Sequence, residues 1–134
     1  MTINKDLHNQ VSVGVAIALT AVANGEDVVG SAIDRQGSEG LEIIFQVGAY
    51  TDGSVTPLIE ESDNNSDYTA VADADLTNTE ASAALSAAGV SKIGYIGAKR
   101  YVKASAVTAA GSTLSVGATA IKFGLRLQGD VNPS

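Results

Sequence analysis

The stretch Leu41–Glu61, LEIIFQVGAYTDGSVTPLIEE, decides how this chain is read. Leu41, Ile43, Phe45 and Val47 recur at every second position, the period of a strand with one buried face. Thr51-Asp52-Gly53-Ser54 follows, and Asp-Gly is a pair that tight hairpin turns prefer. Val55–Glu61 then carries the chain back. The stretch predicts a β-hairpin whose Leu41, Ile43, Phe45 and Val47 face lines the core.

The same grammar extends in both directions. In Val11–Leu19 the residues Val11, Val13, Val15, Ile17 and Leu19 share one face, and Ser12, Gly14, Ala16 and Ala18 the other. The apolar face is expected to pack against Phe45 and its neighbours; the small face implies close approach of another backbone. Asn24-Gly25 marks a turn, Asp27–Asp34 a short strand and Gln36–Gly40 a loop. Ser62–Asp67 is a polar turn, and the Ala- and acid-rich segment Tyr68–Gly89 has room for one short helix near Thr79–Ala88, with Thr79 as its N-cap. Lys92–Ile96 and Lys99–Ala109 read as a strand pair split by Gly97, and Thr113–Leu127 as a last strand or pair. Seven or eight strands with turns about every 8–12 residues predict an all-β, single-domain β-sandwich, jelly-roll-like or Ig-like. Residues 11–128 form that domain, between an extended N-terminal arm (1–10) and a C-terminal tail (129–134).

Composition narrows the function. The chain has 134 residues, enough for one self-sufficient core, and a net charge of −7. Six of its 8 bases (Lys92, Lys99, Arg100, Lys103, Lys122, Arg126) follow residue 91, where the sole acid is Asp130. Such a split fits either pairing within the fold or acid-to-base association between copies. The overall charge repels phosphate, so no nucleic-acid partner is expected. Val11–Ala23 is apolar but spans about 13 residues, short of the ~20 a bilayer helix needs, so no membrane partner is expected either. It also lacks the basic leader of a signal peptide. The chain carries no cysteine, which removes disulfides and thiolate metal sites.

Catalytic constellations are missing from the sequence. His8 is the one histidine and lies in the polar arm. No Gly-x-Ser-x-Gly elbow accompanies it. Gly94-Tyr95-Ile96-Gly97 lacks the spacing of a phosphate-binding loop. Asp63, Asn65 and Asp67 match the opening of a calcium loop, but Tyr68 stands where glycine is needed and Ala74 where the bidentate glutamate belongs. Glu60 and Glu61 are neighbours that point to opposite faces of a strand. The chain is therefore expected to be no enzyme, with no catalytic residue, cofactor or metal. Without Trp and with few other aromatics, a sugar-binding module has little to stack on.

The densest positive charge lies at Lys99, Arg100, Tyr101 and Lys103. On a strand, Lys99, Tyr101, Lys103 and Ser105 would face outward, and Arg100, Val102, Ala104 and Ala106 inward. Tyr and Arg favour interfaces, whereas lysines also shield edge strands from aggregation; the pattern fits both.

At KIGYIGAKRYVKA (Lys92–Ala104) the sequence resembles small head decoration, or cement, proteins of tailed bacteriophages encoded near the major capsid gene. Asp6-Leu7-His8-Asn9, Ile33-Asp34-Arg35-Gln36-Gly37, Leu41-Glu42 and Val71-Ala72-Asp73-Ala74-Asp75-Leu76 carry the same resemblance, in the same order, through about two-thirds of the chain. The C-terminal third departs from the pattern in being rich in Gly and Ala. The resemblance implies a structural virion protein on the capsid exterior, assembled in the host cytoplasm, that binds the major capsid protein and forms a homo-oligomer, a trimer being favoured. Its contact residues would be Lys99, Arg100, Tyr101 and Lys103, with Asp6, Leu7, His8 and Asn9 in the arm. A tail, connector or head-fibre component and a carbohydrate- or calcium-binding module are the alternatives.

Overall fold

The computed structural model describes residues 11–76 and 84–124. Eight strands follow in order: β1 (Val11–Val22), β2 (Val28–Asp34), β3 (Gly40–Asp52), β4 (Val55–Ser62), β5 (Thr69–Ala70), β6 (Gly89–Tyr95), β7 (Tyr101–Thr108) and β8 (Thr113–Phe123). Half of the Thr79–Ala88 helix expectation, residues 79–83, lies outside the described residues, and the other half, residues 84–88, is not helical. Leu85, which is described, bridges Val55 instead of continuing a helix. A single 3-10 turn, Asp73–Asp75, is the helical element among the described residues.

The strands form two antiparallel sheets, ordered β1-β8-β3-β6 and β2-β7-β4-β5. Each connection except β4–β5 crosses from one sheet to the other. That winding is a jelly roll, two interlocked Greek keys, which selects one of the two expected sandwich types.

The crossings correct two readings. Leu41–Glu61 is an arch between sheets and not a hairpin. β3 is bonded by β8 on one side and β6 on the other through Leu41–Val47, so it has no free edge for β4. Positive φ at Ala49 (44°) and Gly53 (93°) turns the chain out of the sheet. A Cβ on Gly53 would overlap Ser112, so the close approach demands glycine. Likewise β6 and β7 are not a pair: β6 bonds β3, and β7 lies between β2 and β4.

The core is read correctly on β3 and β7. Leu41, Ile43, Phe45, Val47, Val102, Ala104 and Ala106 are all buried, alongside Ile93, Tyr95, Val116 and Ala120. Large residues beside alanines fill the ~10 Å gap between sheets. β1 departs from its alternation. Register shifts between Val15 and Ile17, and between Ile17 and Thr20, bury Ala16 and Ile17 together. Each bulge resets the period of two, so Val13, Val15 and Leu19 go to the outer face. Small residues are needed inside here. A Cβ on Gly30 of β2 would overlap the Ala16 and Ala104 carbonyl oxygens, because the two sheets nearly touch at this corner.

Pro57 occupies a position of β4 that β7 does not need. Val55 and Ile59, of the same parity, turn their backbone groups away from β7, to Leu85 and Val71. The missing N–H of Pro57 therefore lies on the outer edge. At one end of the sandwich the β1–β2, β3–β4 and β7–β8 connections are tied by buried Ser112. Its Oγ accepts from Ser54 N (3.1 Å) and donates to the Ala109 carbonyl (2.6 Å). At the opposite end lie the β2–β3, β4–β5 and β6–β7 connections. Val11 pairs with Phe123 there, so β1 begins and β8 ends at the same end as these three loops.

Candidate interaction surfaces

The loop end is organised by Tyr95. Its ring is buried at the end of β6, and its hydroxyl donates to Glu61 Oε1 (2.6 Å) and accepts from Lys99 N (3.1 Å). Burial first, and then the bond to Glu61, push its pKa up to about 12. Arg35 lies over the same ring, 4.8 Å from guanidinium carbon to ring centre. It donates Nε to the Lys99 carbonyl (2.9 Å) and Nη2 to the Gly97 carbonyl (3.1 Å). Tyr95 and Arg35 thus hold residues 96–100 as a fixed loop that presents Lys99 and Arg100.

Both of those cations are paired within the fold. Lys99 Nζ meets Asp63 Oδ2 at 2.7 Å, and this bond holds the lysine pKa above its ordinary value. Arg100 grips Asp34 with Nε (2.9 Å) and Nη2 (2.8 Å), a two-pronged geometry that fits guanidinium to carboxylate. The Arg100 bond, followed by the Gln36 N–H, lowers the Asp34 pKa to about 2. Lys122 Nζ adds a bond to the Asp34 carbonyl (3.2 Å). These contacts are exposed, so each adds little stability.

The stripe is therefore arranged differently from a single strand. Lys99 and Arg100 precede β7, and Arg100 stands outside, over the Tyr101 ring (4.9 Å), instead of sharing the inward face of Val102. Tyr101 and Lys103 do face outward, and Lys103 lies over the Tyr68 ring (4.3 Å). Ser105, on the same face, is buried. β7 is an interior strand, so Lys103 does not shield an edge. Asp6, Leu7, His8 and Asn9 lie outside the described residues.

The calcium-loop residues turn to separate partners. Asp63 engages Lys99, Asp67 accepts from the Asn64 amide, and Asn65 accepts from the Tyr68 hydroxyl. Among the described residues no three acidic or histidine side chains cluster as a metal site would need. A groove of about 230 Å³ between Arg35, Ser38, Ala98 and Arg100 is polar and shallow.

A second surface escaped the sequence reading. The outer face of the β1-β8-β3-β6 sheet exposes Val13, Val15, Leu19 and Val90. Beside Val15 and Leu19 runs a groove of about 380 Å³, lined also by Ile44, Gln46 and Thr119. No local pattern signalled it: Ala16 is buried against β2, but the register shifts of β1 decide that the valines point outward.

No protein-family model and no curated protein matches the sequence. Among solved structures, the chain is similar to the PBSX exported protein XepA at 18% identity and a TM-score of 0.60, covering 91% of this chain and 40% of XepA. It thus spans about two-fifths of that protein, and the likeness is one of fold. Weaker matches are to Bacillus endospore appendage pili (13% identity, TM-score 0.48, 87% of this chain and 89% of that one) and to infectious bursal disease virus Gx strain (15%, 0.48, 87% and 35%).

Proposed function

We propose that this chain is a non-enzymatic virion protein that decorates the exterior of a phage capsid, seated between major capsid protein subunits. The observation that carries the reading is convergence at one end of the sandwich. Arg35, Lys99 and Arg100 gather there, and Val11, which follows the Met1–Gln10 arm, starts β1 there. The stretches that resemble decoration proteins meet at the same place. Ile33–Gly37 runs from the end of β2 into the β2–β3 connection, Leu41 pairs with Tyr95, and Leu76 bridges Tyr95. Lys92–Ala104 runs from β6 through the loop into β7.

The mechanism is additive. Many copies each bury a modest contact on adjacent subunits, and the lattice gains stability by mass action and avidity. Lys99, Arg100, Tyr101 and Lys103 form the rim of that contact, with the arm residues Asp6–Asn9 reaching beyond it. Rim charges chiefly set association rate and salt sensitivity. The test is co-sedimentation with undecorated capsids. Changing Lys99 and Lys103 together to Glu leaves the circular dichroism spectrum intact and lowers occupancy, most strongly at low salt. Deleting residues 2–9 lowers occupancy as well. Wild-type occupancy by both variants would refute the reading.

A further inference from the structure

The outer face of the β1-β8-β3-β6 sheet is unusual for a chain of net charge −7. Its register places Val13, Ile121 and Glu42 in one row, Val15, Thr119, Ile44 and Lys92 in the next, and Gly117, Gln46 and Val90 in a third. Through those rows the charges are one acid and one base. Val13 is 63% exposed, Val15 66%, Leu19 79% and Val90 65%. Single exposed apolar residues are ordinary, but Val13, Val15 and Leu19 line up along β1 as at an interaction site, with Val90 apart on β6 beyond Gln46.

We propose that this face packs on the same face of a second copy, forming a two-fold dimer. Three observations select that occupant. First, the face is close to neutral, so two acidic molecules can approach through it without opposing like charges. Second, relief on the face is self-complementary. Leu19 rides over Gly117, where a Cβ would come within 3.3 Å of the Leu19 Cα, and makes a ridge with Val15. The groove of about 380 Å³ floored by Ile44, Gln46 and Thr119 runs beside it. A two-fold axis lying between the two sheets, parallel to their planes, turns the faces toward each other and sets each ridge into the other copy's groove, as interdigitating sheets do. Third, the size suffices. Four strands about 4.8 Å apart and about nine residues long at ~3.3 Å give roughly 550 Å² per copy. The total of about 1,100 Å² clears the ~1,000 Å² that a specific interface needs. A patch that covers itself is isologous and closes at two copies, so the assembly is a dimer and not the trimer expected from the resemblance.

The dimer leaves the loop end and the outer face of the other sheet open, so it is independent of the capsid-binding reading. Sedimentation velocity of the full chain over a concentration series, without particles, tests it. The wild type is expected at twice 13.5 kDa, with association tightening as salt screens the net charge. Val15→Lys with Leu19→Lys, both exposed, should keep the folded circular dichroism spectrum and weaken association about 100-fold or more, as loss of central anchors does. Val29→Lys, on the outer face of the other sheet, should associate as wild type. A wild type that stays monomeric up to about 1 mM, a double variant that dimerises normally, or a Val29→Lys variant equally impaired would each overturn the proposal. Loss of particle binding by the double variant of a monomeric wild type would assign the face to the capsid instead, and would also overturn it.

Discussion

Removing one oxygen atom, by Tyr95→Phe, should loosen the whole loop end. The ring stays and keeps its packing, while the hydroxyl's two bonds are lost: donation to Glu61 (2.6 Å) and acceptance from Lys99 N (3.1 Å). The first bond is charge-assisted, and the second leaves a backbone N–H unpaired beside a buried ring. Together they cost about 2–3 kcal/mol. With an unfolding entropy of about 2.1 cal/mol/K per residue, that lowers Tm by roughly 7–10 °C. The variant also changes the alkaline limb of stability. In the fold the hydroxyl is held neutral, its pKa raised from 10.0 to about 12. A raised pKa contributes stability fully below the unfolded value and loses it as pH climbs through the folded one. Wild type should therefore weaken between pH 10 and pH 12, and Tyr95→Phe should lack that part of the decline. Thermal melts by circular dichroism at neutral pH, with urea titrations across the alkaline range, measure both. A Tm loss below about 2 °C, or identical alkaline slopes, would refute the account of Tyr95 as the organiser of this end.

Three further outcomes follow from the packing. Phe45→Ala, at the centre of β3, should cost about 3–5 kcal/mol in urea unfolding, the usual loss for a buried aromatic; under about 1 kcal/mol would show that the site collapses freely. Gly30→Ala should destabilise the sandwich or lower its soluble yield, because the added methyl meets the Ala16 and Ala104 carbonyls, and a neutral result in a thermal melt would count against the tight corner between β1, β2 and β7. Asp34→Asn should remove a contribution that exists above the ordinary carboxylate pKa of 3.8 and fades as pH falls through about 2. Because the Arg100 pair is exposed, the Tm change at pH 7 should be no more than a few degrees, shrinking toward pH 2; a loss that grows on acidification would contradict the sign.

How much of the candidate surface was legible varies by residue. Tyr101 and Lys103 face outward as strand alternation requires, and Val102 between them is buried. The partners of Lys99 and Arg100 were not legible, because Asp63 is 36 residues away in sequence and Asp34 is 66. Arg35 stood out only within the resemblance. Its role as a clamp on residues 96–100 depends on the β2–β3 and β6–β7 connections meeting at one end, which no local pattern encodes.

The sequence by itself determined the all-β class, the turns at Asn24-Gly25 and Asp52-Gly53, and the inward faces of β3 and β7. Each rests on neighbours one or two positions apart, where backbone preference and burial act together. Only the tertiary structure decided which strands pair. An Asp-Gly turn serves a hairpin or an arch equally well, and the choice at Gly53 fell to the arch because β8 and β6 already occupy both edges of β3. It also decided which side of β1 faces water. Two register shifts, set where β1 approaches Gly30, reverse the alternation that Val11–Leu19 displays, and so place Val13, Val15 and Leu19 on the surface.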